Sequence, residues 1–104
     1  DVSVVRNGKR VHIFVRAARK RPSPRTINGK HYEYAARHFN FHVHGKRVHT
    51  DFWILVEADG KNVFVIPDSK TGERLTAHQH LSANPRGSWL GEFENAWDLL
   101  ASRH

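Results

Sequence analysis

Seven cationic side chains in the first half of the chain are suited to phosphate binding: Arg16, Arg19, Lys20, Arg21, Arg25, Lys46 and Arg47. A guanidinium grips a phosphate through two parallel N–H···O bonds, and an ammonium acts as a point charge. The run AARKRPSPR, from Ala17 to Arg25, gathers four of the seven. A second chemistry is offered by nine histidines, densest in RHFNFHVHGKRVH, which holds His38, His42, His44 and His49. On a strand, His42 and His44 stand one pleat repeat apart, roughly 7 Å. Two such imidazoles can share a zinc ion, with His49 returning across a turn and Asp51 or Glu57 as a fourth ligand. A single His-x-His lacks the second spaced ligand pair of a strong zinc pattern, so a solvated histidine face is the plainer reading. Such a face gains positive charge in acid and would strengthen polyanion binding there.

These groups need elements to carry them. VSVV, Asn7-Gly8 and VHIFVRA read as two strands joined by a tight turn, so residues 1–17 form an antiparallel hairpin. Alternation puts His12, Phe14 and Arg16 on one face of the second strand. RKRPSPRTINGK, residues 19–30, reads as a basic, extended loop on its prolines, glycine and like charges. Phe39 to His44 reads as a strand with Phe39, Phe41 and Val43 on one face. FWILV and VFVI flank Asp59-Gly60 and form a second hairpin, apolar on both faces and therefore covered on both. A short helix is expected near 74–81. Trp89, Phe93, Trp97 and Leu100 recur at helical spacing, which predicts a core-docking helix over 92–101. Tyr32, Tyr34, Phe39 and Phe41 lie among basic residues, where rings either stack on bases or, more commonly, pack in a core.

The whole is an α+β (or α/β) domain: a mixed four- to five-stranded sheet built from hairpins, with a C-terminal helix packed on it. At 104 residues it reads as a single domain, 1–104. Residues 1–50 carry 12 Lys/Arg against two Asp/Glu, a net +10; residues 51–104 carry five against eight, a net −3. That asymmetry points to a polyanion partner, DNA or RNA. No stretch is apolar enough for a membrane helix, and no membrane partner is expected. The absence of cysteine removes thiolate chemistry and disulfides and fits a cytoplasmic protein. With no P-loop and no G-x-G-x-x-G, no nucleotide cofactor is expected.

The order of these features resembles the second half of a PD-(D/E)XK nuclease core, of the Holliday-junction-resolvase and restriction-like type. Asp1 opens the hairpin DVSVVRNGKRVHIFVRAARK, and Phe14-Val15-Arg16 stands where that superfamily carries its E/Q-x-K triplet. TDFWILVEADGKNVFVIPDSK through AWDLL is similar to the closing strand pair and terminal helix of small bacterial members. The resemblance implies a Mg2+-dependent endonuclease, or the C-terminal part of a longer one, trimmed before Asp1. It implies Asp1 as a metal ligand, Arg16 at the lysine position, and His12 as the nearest substitute ligand or base; His12 and Arg16 with Asp1 are the candidate catalytic residues. Phe14 departs from the pattern, since a phenyl ring cannot ligate a metal. What remains is phosphate binding through the strand end and the 19–30 loop. The alternatives are a histidine-rich zinc-binding β domain using His42, His44 and His49, and a protein-interaction or inhibitor module using the acidic half. A homodimer is compatible with each.

Overall fold

The computed structural model describes residues 2–6, 8–22, 24–33, 35–80 and 89–101. Its centre is a four-stranded sheet in the order β1 (Val2–Arg6), β2 (Lys9–Ala18), β9 (Phe52–Glu57), β10 (Val63–Pro67). β1 and β2 pair antiparallel from Val2↔Ile13 to Arg6↔Lys9. β9 and β10 pair antiparallel around the Asp59-Gly60 turn, from Phe52↔Pro67 to Val56↔Val63. The two hairpins join through a parallel contact, Ile13↔Phe52 to Ala18↔Glu57.

A parallel pair requires a long crossover between its strands. Here the crossover is itself β structure. It runs through β3 (Arg21–Pro22), β4 (Arg25–Ile27), β5 (Lys30–Tyr32), β6 (Ala35–Asn40), β7 (His42–Val43) and β8 (Lys46–Arg47). β6 pairs with β3 on one side and with β11 (Thr76–His80) on the other, making a second sheet. Phe39, Phe41 and Ala77 from this layer meet Trp53, Leu55, Phe64 and Ile66 of the first, all essentially without solvent contact. Phe39 meets Phe64 edge-on at 6.4 Å, and Trp53 lies between Phe14 at 5.2 Å and Phe41 at 4.9 Å. Each fully buried large side chain contributes about 1.5–3 kcal/mol of transfer free energy.

The expected α+β or α/β architecture with a packed C-terminal helix is therefore corrected to a β fold, in which the cover over the sheet is a second sheet. Among the described residues, helical structure is confined to 3-10 turns at Asp68–Lys70 and Gly91–Phe93 and to a four-residue α1, Asp98–Ala101. The helical spacing after Trp89 fails because Asn95 adopts a left-handed φ of 53°. Beside it Glu94 bridges Phe64, and the Asn95 N–H donates to the Val63 carbonyl at 2.7 Å. The chain is held to the edge of β10 there instead of winding. Leu90 and Phe93 reach the core, but Trp97 stays 48% exposed. The helix expected near 74–81 is instead β11, recruited by β6. The expected loop at 19–30 contains β3 and most of a β4–β5 hairpin, whose Asn28-Gly29 turn has φ values of 52° and 79°. That pair of left-handed angles suits Asn-Gly. No described helix is long and apolar enough to cross a membrane.

Candidate nucleic-acid interface

The C-terminal end of β2 opens onto a cleft of about 710 Å³. Ala17, Ala18 and Ala58 leave the space; Arg19, Arg21, His38 and Asn40 line it with polar groups. The register explains this grouping. Arg21 pairs with Ala36 on β6, and strand alternation turns Ala36, His38 and Asn40 to the same side. His38 stacks on His78 of β11, ring centroids 4.4 Å apart. The backbone entering the cleft is pinned at two points: the Ala58 N–H donates to the Ala18 carbonyl at 2.9 Å, and the Lys20 N–H donates to Asp59 Oδ2 at 3.1 Å. Arg19, Lys20 and Arg21 are exposed, and among the described residues no carboxylate pairs with their side chains.

The remaining cations of the expected phosphate row do not join them. Arg16 lies half-buried over the Phe14 and Trp53 rings, at 5.4 and 5.6 Å, and its Nε donates to the Asn40 carbonyl at 3.2 Å. Its charge is held by aromatic faces and a backbone oxygen, as a packed cation. Arg47 lies over Phe41 and Trp53, faces Asp68 Oδ1 at 3.5 Å, and donates to Thr71 Oγ1 and to the Val48 and Gly72 carbonyls. Lys46 is exposed on β8, and Arg25 opens β4 opposite Tyr32. Asp68 follows β10 at the Phe52 end of β9, whereas Ala18 and the cleft lie at its Glu57 end. Six strand residues separate the two ends by roughly 16 Å. The seven cations named from the sequence thus do not form one group: Arg19 and Arg21 line the cleft, Arg16 is packed beside it, and Arg47 lies at the other end of β9.

Among the described residues, the zinc-site candidates are likewise dispersed. Asp1 lies outside the described residues, as does Tyr34. Phe14 is committed to its edge-on contact with Trp53, so the place of the second carboxylate holds packing, not a ligand. His12 Nδ1 hydrogen-bonds Ser3 Oγ at 3.0 Å. Asp51 is occupied structurally: its Oδ2 accepts from the His12 N–H at 2.8 Å, which seats β9 beside β2. His44 occupies a hairpin turn with φ 51°, so it does not share a strand face with His42. His49 Nδ1 instead meets Asp68 Oδ2 at 2.9 Å. His42, His44 and His49 do not converge, and no group of three or more His, Asp or Glu among the described residues is arranged to hold a metal ion. Among the described residues, those present do not fit the zinc site expected from sequence, and the magnesium site expected at Asp1 lies outside them.

A buried network beneath the cleft had no strong sequence signal. Arg37 Nε donates to Asp59 Oδ1 at 2.7 Å and its Nη1 to Gln79 Oε1 at 3.0 Å, with Glu57 Oε2 at 3.5 Å. Gln79 Nε2 donates to Glu57 Oε2 at 2.6 Å, and Asn62 Nδ2 does so at 3.1 Å. Burial pushes the Glu57 carboxyl up, but hydrogen bonds from Gln79 and Asn62 and the charge of Arg37 outweigh it and hold the carboxyl below its usual range. The Arg37 hydrogen bond, with that of the Lys20 N–H, also lowers Asp59. Asp68 is lowered despite its burial, by hydrogen bonds from His49 and Trp53 and the charge of Arg47. A Cβ at Gly60 would lie 2.1 Å from Glu57 Oε1, so glycine leaves the room that this carboxylate fills. The only hints in the sequence are Glu57 closing an apolar strand and Asp59-Gly60 after it.

Compared with family models, curated proteins and solved structures, the chain matches none.

Proposed function

We propose that this protein binds nucleic acid through the sugar–phosphate backbone, with the cleft at the end of β2 as the contact. One observation carries the reading. Arg19, Lys20 and Arg21 stand exposed at one strand end without a carboxylate partner among the described residues, while Arg37 and Arg47 elsewhere are neutralised. Neutralising phosphates there would release counterions condensed on the nucleic acid, which gives affinity with little sequence selectivity. His38 and Asn40 add donors and acceptors on the cleft wall. Binding without cleavage is favoured, because Phe14 supplies no oxygen to a metal and its ring is packed against Trp53.

The test is fluorescence anisotropy with labelled DNA and RNA oligonucleotides at several salt concentrations. Log affinity should fall linearly with log salt, and Arg19→Ala/Arg21→Ala should weaken binding to every oligonucleotide. A flat salt dependence, or a double variant that binds like the parent, removes the proposal.

A further inference from the structure

Residues 19–32 hold five Lys/Arg and no Asp or Glu, and more than half of that segment is the β4–β5 hairpin. Among the described residues the two strands pair only with each other, Arg25↔Tyr32 to Ile27↔Lys30, and neither packs extensively on another element. Every side chain described from Thr26 to Glu33 is exposed, including Ile27 at 45%. An isolated two-stranded ribbon in water is marginal by itself. Among the described residues it contributes none of the buried core, and its side chains face solvent.

We infer that this ribbon enters the major groove of B-form duplex DNA while the cleft at its base holds the backbone; the inference rests on the phosphate-binding reading above. The dimensions agree. Three residues per strand extend about 10 Å, against a groove roughly 8.5 Å deep. Strands about 4.8 Å apart, with side chains on either side, fill a groove roughly 12 Å wide, which is known to admit a two-stranded ribbon. The major groove of A-form RNA is too narrow for one. The chemistry agrees as well. Asn28 and Lys30 lie at the tip, where an amide can read adenine and an ammonium can reach guanine N7 and O6. Glu33, the nearest acid along the chain, sits beyond the ribbon and faces His31 Nε2 at 3.2 Å. Arg21 and Pro22, which line the cleft and pair with β6, are separated from the start of β4 by only two positions in the sequence. The ribbon and the cleft can therefore hold one duplex together.

The experiment uses a short DNA duplex, the RNA duplex of the same sequence and each single strand, with the parent protein and the tip variant Asn28→Gly/Lys30→Ala. Both positions are exposed, glycine keeps the left-handed turn at 28, and circular dichroism checks that the fold is kept. At saturation the parent should protect guanine N7 of the DNA duplex from dimethyl sulfate. The tip variant should leave N7 reactive and bind that duplex about tenfold more weakly, with RNA and single-strand affinity unchanged. Full N7 reactivity under the bound parent overturns the inference and leaves the cleft reading standing. So does a tip variant that binds DNA duplex as the parent does, or a parent that binds RNA duplex equally well. A parent that binds none of the four overturns both.

Discussion

Arg37 and Arg47 are neutralised inside the protein by Glu57, Asp59 and Asp68, whereas Arg19, Lys20 and Arg21 keep their charge at the surface. All five come from the same basic half of the chain, and what separates the two groups is where the fold places carboxylates. Arg37 lies on the core face of β6, opposite Gln79, and the turn after β9 brings Asp59 to it. Arg19 and Arg21 lie just past the end of β2, where neighbouring alanines leave open space. A buried arginine must be paired, because an isolated charge in a low-dielectric interior is very costly. An exposed arginine has no such requirement and remains available to a ligand. The number of cations therefore overstates how many are available for binding.

Removing a buried partner should break this comparison most visibly. Arg37→Ala leaves Glu57 unpaired in the interior and should cost about 3–5 kcal/mol, read from the urea midpoint. An unchanged midpoint would mean that the pair is not shielded from water. Next, Gly60→Ala drives a methyl group into the Glu57 carboxylate and should cost about 1–3 kcal/mol, seen as a lower melting temperature. A melting temperature at the parent value would show that the carboxylate can move without penalty.

Acid should act on the same carboxylates. Glu57, Asp59 and Asp68 are all held below their ordinary pKa values in the fold, so the unfolded chain takes up their protons first as pH falls. Their stabilisation is complete above the ordinary carboxylate range and is lost as pH drops through the folded values. Urea midpoints should decline in that window, and Asp68→Asn should flatten part of the decline. An equal slope in the variant would remove Asp68 from the account. The smallest effect on stability belongs to Arg19→Ala/Arg21→Ala, within about 0.5 kcal/mol by the same midpoints. Its consequence is a salt dependence of binding shallower by roughly two, from titrations at stepped salt. A marked loss of stability in this variant would collapse the distinction between the two groups.

Several elements could be read along the chain. Val2 to Ala18 and Phe52 to Pro67 show alternation or continuous apolarity around tight turns, and both pair as hairpins. Trp53, Leu55, Phe64 and Ile66 were recognisable as core from the same runs. The segment after Trp89 was misleading, because periodic aromatics signal a helix only while the backbone stays right-handed, and Asn95 does not. The β4–β5 hairpin was hidden for a different reason: its Asn28-Gly29 signal sat inside a run of cations and prolines that reads as loop. At the candidate site, Arg19, Lys20 and Arg21 were legible as a cluster, but Arg16 and Arg47 were not legible as packed cations. They share Trp53 as an aromatic partner, which is distant from Arg16 in sequence, and the Arg47 carboxylate partner Asp68 is distant from Arg47.

The amino-acid sequence alone determined the charge imbalance between the halves, the two main hairpins and the apolar runs at the core, because alternation and turn chemistry act between near neighbours. The tertiary structure decided that a second sheet, not a helix, covers the first, and which cations face solvent. Those outcomes depend on contacts such as Arg37 with Asp59 and Arg47 with Asp68, made across more than twenty intervening positions or nearly so, where burial sets the cost of leaving a charge unpaired.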